Sequence, residues 1–204
     1  MATRTERLRK AVAARLKSVV AVCVNLQNPH NVAAILRTCE ALGLLEVYVV
    51  EEDVPFRPAP QVSQGAERWV RILRFRRGEA AFAALRAQGF RILAATPSGE
   101  LPVEALPGEA PLALAFGNEV AGVPPNLLAQ CDGTFRIPMW GLVESLNVSV
   151  AAGISLYFAV RARRQALGQA GDLTPAEQEA LLAEYILEGK TSLPKAGAAE
   201  LPPS

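Results

Sequence analysis

Residues 137–154 read IPMWGLVESLNVSVAAGI, and the fold turns on this stretch. Leu142, Val143, Val148, Val150, Ala151, Ala152 and Ile154 are the makings of a buried helix face. Ser145, Asn147 and Ser149 interrupt that face with side chains that disfavour both a helix interior and a dry core. A strand over 134–137 ends at Pro138, a loop follows over 139–144, and Ser145 suits a helix cap. A long helix is therefore expected over 145–165. Capping covers Ser145 but not Asn147, whose amide falls in the first helical turn beside free backbone N–H groups, where it can contact a polar ligand.

Outward from this stretch, short apolar or β-branched runs at 19–25, 46–50, 69–75, 90–96, 112–116 and 134–137 read as strands. Helical patterns lie between them at 29–42, 79–88 and 125–130. Such alternation predicts an α/β fold, a mainly parallel sheet of about six strands with helices on both faces. Residues 3–17 read as a basic helix within an N-terminal extension, 1–18. A C-terminal extension, 166–188, holds a helix over 174–188 with Thr174 as cap and Pro175 at its first position. The run KTSLPKAGAAELPPS after Gly189 has little to bury, and 189–204 is expected to be a disordered tail.

Half of the 204 residues are hydrophobic and a fifth are charged, an ordinary soluble composition. No apolar run approaches the ~20 residues that cross a bilayer, and no apolar segment follows the first charges as in a secretory signal. Three scattered cysteines and a single histidine, His30, point away from a disulfide framework or a metal site. The expected setting is the reducing cytoplasm, with neither metal nor membrane. Twenty-one basic against twenty acidic residues hide an asymmetry. Arg4, Arg7, Arg9, Lys10, Arg15 and Lys17 crowd the N-terminus, Arg68, Arg71, Arg74, Arg76 and Arg77 form a second cluster, and the acids gather late, from Asp172 to Glu188. Basic clusters on a near-neutral chain suggest a local polyanion footprint.

Two further stretches carry chemistry. In NPHNVAAILRTCEALG, residues 28–43, Asn28 can cap a helix, Pro29 suits its first position and Gly43 can close it. Val32, Ile35, Leu36, Cys39 and Leu42 share one arc of that helix, with Arg37 nearly opposite beside His30, Ala33, Ala34 and Ala41. An arginine on an alanine-rich face can be approached closely by a ligand or another subunit. In LALAFGNEVAGVPPNLL, residues 112–128, a buried strand ends in Gly117, Asn118 and Glu119. Ligands of parallel sheets bind beyond the carboxyl ends of strands, so this loop is a candidate site. Neither a GxGxxG fingerprint nor a phosphate P-loop occurs, which disfavours a nucleotide-dependent oxidoreductase.

Taken in order, the three stretches resemble the signature motifs of the SpoU/TrmH family of RNA ribose 2′-O-methyltransferases. Asn28, Pro29 and Asn31 with Arg37 and Thr38 resemble the first motif, and Phe116, Gly117, Asn118 and Glu119 with Gly122 the second. Ile137, Pro138 and Met139 with the run from Ser145 to Ala152 resemble the third. The resemblance covers about residues 19–165, the expected methyltransferase domain. Ala33, Leu42 and Val120 depart mildly from the family pattern.

The resemblance implies a deep trefoil knot in the C-terminal part of the sheet, a homodimer whose active site is shared across the interface, and S-adenosylmethionine as cofactor. It implies that Thr96, Gly117, Ile137 and Leu146 line the cofactor pocket. Arg37 would activate the ribose hydroxyl, Asn31 would fix Arg37 or the ribose, and Glu119, Ser145 and Asn147 would order the pocket. Ser149 is placed by the resemblance alone. The segments Val54 to Phe56, Ser63 to Ala66, and Trp69 with Val70, plus the short terminal extensions, resemble the branch that modifies the D-loop guanosine of tRNA, position 18. Arg7, Arg9, Lys10, Arg68 and Arg71 would then contact the RNA backbone. Residues 57–62 depart from that branch, and the alternatives are a ribosomal RNA methyltransferase or an idle RNA-binding member of the fold.

Overall fold

In a computed structural model, residues 3–55, 60–188 and 198–200 are described. The strands are β1 (Val19–Val24), β2 (Glu46–Val50), β3 (Arg71–Phe75), β4 (Arg91–Ala95), β5 (Leu101–Pro102), β6 (Leu112–Phe116), β7 (Gly133–Arg136) and β8 (Ala198–Glu200). The helices are α1 (Arg4–Ala13), α2 (Pro29–Leu42), α3 (Pro60–Ser63), α4 (Gly78–Ala87), α5 (Pro125–Leu128), α6 (Val148–Leu167) and α7 (Pro175–Glu188). All strand pairs are parallel, in the order β5-β7-β4-β6-β1-β2-β3-β8.

The central strands are apolar on both faces because both faces are covered. Every residue of β1 and β6 is buried. Val19, Ala21, Cys23, Leu114 and Phe116 pack with residues of α2 and α6. Their alternates Val20, Val22, Val24, Ala113 and Ala115 pack with Phe82 and Leu85 of α4 and Leu127 of α5. Burying each valine or leucine contributes roughly 1.5–3 kcal/mol, so a polar group in either layer is costly.

The two chain extensions form one unit. Val12 of α1 joins Leu181 and Tyr185 of α7, together with Leu45 and Leu173, in a third cluster. Arg15, only 2% exposed, donates to the carbonyls of Glu40 and Leu44 and lies over the Tyr185 ring. Asp172 accepts from the backbone N–H groups of Lys17 and Ser18 and from the Ser18 hydroxyl. Among the described residues, no helix is long and apolar enough to cross a membrane.

Three sequence expectations are corrected. The sheet has eight strands rather than about six, because β5 and β8 have two and three residues and carry no readable alternation. The long helix starts at Val148, not at 145, and its cap is Asn147 rather than Ser145. Asparagine caps as well as serine does, and the Asn147 side chain accepts from the Ser149 N–H. Within the expected tail, Ala198–Glu200 extend the open edge of β3, where unpaired backbone groups accept another strand; residues 189–197 and 201–204 lie outside the described residues, as do 56–59.

Candidate functional site

The loops after β1, β6 and β7 leave the sheet at its carboxyl edge, and the three motif stretches meet there. The first begins as α2. Asn28 caps it by accepting from the His30 N–H, Pro29 occupies its first turn, and Gly43 closes it in the left-handed conformation at φ 83°. The apolar arc is buried, with Val32, Ile35, Leu36 and Cys39 each at most 2% exposed. Opposite it, Arg37 is exposed and its guanidinium forms no hydrogen bond or ion pair with a described residue. Its alanine-rich surroundings are only partly open, since Ala33 is buried whereas Ala41 is exposed.

The second stretch folds back on itself. Asn118 and Gly122 exchange two backbone hydrogen bonds, at 3.0 and 2.8 Å. A Cβ on Gly117 would lie 2.0 Å from the Gly122 carbonyl carbon, so the turn closes only because that side chain is absent. This tight turn presents Glu119 to the start of α2 rather than to a helix of its own. The Glu119 carboxylate accepts from the backbone N–H of Gln27 at 3.0 Å and of Asn28 at 3.2 Å. It also accepts from Asn31 Nδ2 at 2.8 Å. Burial pushes this carboxyl up, but the hydrogen bonds from Asn31, Gln27 and Asn28 outweigh it and hold the group below the usual carboxylate range.

The third stretch completes the chain. Asn31 Oδ1 accepts from Asn147 Nδ2 at 3.2 Å. Asn147 Oδ1 accepts from both the backbone N–H and the hydroxyl of Ser149, at 2.9 and 2.6 Å. Ser149 therefore occupies the oxygen end of the Asn147 amide and turns its nitrogen toward Asn31. Glu119, Asn31, Asn147 and Ser149 form one hydrogen-bonded line through all three motifs. Ser145 is exposed and stands outside that line.

The loop after β7 borders a cavity of about 380 Å³ lined by Pro97, Arg136, Ile137, Pro138, Met139, Gly141, Val143 and Glu144. This size is within the range of small-molecule sites. From Ile137 to Leu146, no backbone N–H or carbonyl is hydrogen-bonded to another described residue, so the wall offers free donors and acceptors. Of the residues expected around a cofactor, Ile137 lines the cavity; Thr96 adjoins the lining Pro97, while Gly117 and Leu146 are not among its walls.

The basic residues divide. Arg7, Arg9 and Lys10 are exposed on α1 and make no side-chain pair with a described residue. Arg68 instead donates to the Glu188 carbonyl, and Arg71 pairs with Glu184 at 2.7 Å. The late acids of α7 thus cover part of the second basic cluster, and Glu51 takes Arg74 in a two-point pair.

Asn25 of the site was not singled out from the sequence, and Asn118 was read there only as part of the second motif. Asn118 holds the second loop, its Oδ1 accepting from Val120 and Ala121 N–H and its Nδ2 donating to the Asn25 carbonyl. Asn25 is buried at φ 51°, and a polar residue directly after an apolar strand was the available signal.

Residues 18–157 match the model of the SpoU rRNA Methylase family. A protein of Thermus thermophilus named tRNA (guanosine(18)-2′-O)-methyltransferase is 34% identical over 185 residues, covering 90% of this chain and 95% of that one. The crystal structure of the Aquifex aeolicus TrmH/SpoU tRNA modifying enzyme superposes with a TM-score of 0.82 at 32% identity, over 93% of this chain and 98% of that one. The SpoU methyltransferase AviRb from Streptomyces viridochromogenes, solved in complex with the cofactor AdoMet, gives a TM-score of 0.67 at 25% identity, over 76% of this chain and 61% of that one.

Proposed function

This chain belongs to the SpoU methylase family, and on that premise we propose that it is an S-adenosylmethionine-dependent tRNA methyltransferase acting on the ribose 2′-hydroxyl of the D-loop guanosine, position 18. The observation that carries the proposal is the line from Glu119 through Asn31 and Asn147 to Ser149, which draws the three motif stretches together and leaves Arg37 exposed and unpaired among the described residues. Incubation with labelled cofactor and, separately, bulk tRNA and ribosomal RNA tests it: label on a tRNA ribose supports it, and label on ribosomal RNA alone overturns it.

The cavity fits the cofactor in its chemistry. Ile137, Pro138 and Met139 offer an apolar wall, and the free backbone groups from Ile137 to Leu146 can pair with the edge of a base. Ile137, Met139 and Gly141 would hold it, and Thr96, Gly117 and Leu146 are the further residues proposed to contact it. When bound, S-adenosylmethionine supplies a methyl group on a sulfonium, an electrophile with a neutral leaving group. The demands on the protein are then alignment and a more nucleophilic ribose oxygen.

Arg37 meets the second demand. A guanidinium holds its proton too tightly to be a good base, so Arg37 grips the adjacent phosphate and stabilises negative charge developing on the 2′-oxygen. The proton of that oxygen passes to the phosphate or to water. Asn31 and Asn147, each with its amide orientation set by its neighbours, fix the ribose. Glu119 holds the start of α2 and so the helix that carries Arg37, and Ser145, next in sequence to the lining Glu144, orders the loop.

Further parts of the reading rest on shape. Strand β7 lies between β4 and β5, both earlier in the chain. Helix α6 then returns against the 103–109 connection, with Arg163 donating to the Gly108 and Glu109 carbonyls. This arrangement suits a C-terminal segment threaded as a trefoil knot. Val150 and Tyr157, two turns apart on α6, are exposed, as are Trp140, Leu142 and Val143 in the loop that precedes this helix. An apolar patch of this kind suits a second copy, and the homodimer would bring the partner's surface to Arg37. Arg7, Arg9 and Lys10 contact RNA phosphates, with Arg68 and Arg71 contributing where their α7 partners release them. Cytoplasmic tRNA is the corresponding substrate pool.

A further inference from the structure

Asn25 is buried, 4% exposed, and holds φ at 51°, a conformation that side chains rarely adopt and that asparagine tolerates better than most. Its surroundings determine that backbone from several sides. Its N–H continues the β1–β2 ladder by donating to the Val50 carbonyl at 3.1 Å. Its Oδ1 accepts from the N–H groups of Glu52 and Asp53, and its Nδ2 donates to the Asp53 carboxylate. The left-handed turn then points its carbonyl to Asn118 Nδ2, at 2.9 Å.

That last contact links Asn25 to the site. Asn118 receives the Val120 and Ala121 N–H groups on its other side-chain end, and its neighbour Glu119 holds Gln27, Asn28 and Asn31. We propose that Asn25 is a positioning residue whose left-handed backbone sets the Glu119 loop through Asn118, and through it the start of α2. Backbone strain that surrounding structure over-determines tends to be kept where function needs a fixed geometry. The proposal rests on the methyltransferase reading, but its structural part can be read without activity.

Three variants test it: Asn25→Val, which disfavours the left-handed turn; Asn25→Gly, which adopts it freely; and Asn118→Ala. Each is checked for a cooperative melt, then for tRNA methylation and for amide hydrogen exchange at Gln27, Asn28, Val120 and Ala121. The Val variant is expected to lose about tenfold in kcat with KM for tRNA changed less than about threefold, and to expose those amides. The Gly variant is expected to recover most of both. Adding Asn118→Ala to the Val variant is expected to cost less than the sum of the two, because both lose the bond from Asn118 Nδ2 to the Asn25 carbonyl. A Val variant with normal kcat and protected amides, or a Gly variant as impaired as Val, overturns the proposal. If wild-type protein does not methylate tRNA, the methyltransferase reading fails, while the exchange pattern still decides what Asn25 positions.

Discussion

Asn147 Nδ2 donates to Asn31 Oδ1 at 3.2 Å, joining residues 116 apart in sequence and tying the start of α6 to the start of α2. Each amide is oriented by its other partner, Glu119 for Asn31 and Ser149 for Asn147. The orientation is thus relayed from end to end, and breaking it at different points has different costs.

Asn31→Ala removes the centre of the line and leaves the Glu119 carboxylate with its two backbone donors only. A net loss of about 1–3 kcal/mol of positioning is expected, a fall in kcat of roughly tenfold to a hundredfold. Single-turnover kinetics with saturating tRNA measures it.

Ser149→Ala is milder. Asn147 still caps the helix by accepting from the Ser149 N–H, so only the hydroxyl bond is lost. A fall in kcat of about threefold to tenfold is expected, with helix stability lowered by about 0.5–1.5 kcal/mol in denaturant titration. A loss as deep as that of Asn31→Ala would show that Ser149 does more than orient an amide.

Glu119 makes the site acid-sensitive. Its folded-state carboxyl lies below the usual range, so its contribution to stability is full above the unfolded-state value and is lost as pH falls through the folded one. Glu119→Gln is therefore expected to be less stable than wild type at neutral pH, with the gap closing in acid. Thermal melts of both proteins across pH 7 to 3 report the difference; a gap that widens in acid contradicts it.

Phosphate contact by α1 has a salt signature. Replacing Arg7, Arg9 and Lys10 by alanine is expected to weaken tRNA binding across sequences and to reduce the slope of log K against log salt by about three, roughly one per residue. Arg71→Ala alone is expected to reduce the slope by less than about one, since Glu184 competes with phosphate for its guanidinium. Filter binding at several salt concentrations distinguishes the two.

The sheet was legible because β1, β2 and β6 are apolar on both faces, a pattern that only a doubly covered parallel sheet satisfies. The two-residue β5, with Pro102 in it, carried no such pattern, and the three-residue β8 is too short to show one. In the site, the residue types of Asn31, Glu119 and Asn147 were legible and their partners were not. Hydrogen bonds between residues 88 and 116 apart depend on how the loops are brought together. The same applies to charge: the basic cluster and the late acids were both visible, but the pairing of Arg71 with Glu184 arises only once α7 lies against β3. Asn25 was legible as a polar residue directly after an apolar strand, but its left-handed backbone and its link to Asn118 were not.

Arg37 remains the most exposed commitment of the mechanism. Arg37→Ala is expected to leave S-adenosylmethionine binding by calorimetry near wild type while methylation falls to less than about a few per cent. A variant that methylates at a higher rate would remove Arg37 from the chemistry.

The most direct measurement is mass-spectrometric mapping of tRNA after incubation with this protein and S-adenosylmethionine. The expected result is a single added methyl on the ribose of the D-loop guanosine at position 18, the position printed in the name of the Thermus thermophilus relative. A methyl on a base, on ribosomal RNA alone, or on no RNA would contradict it.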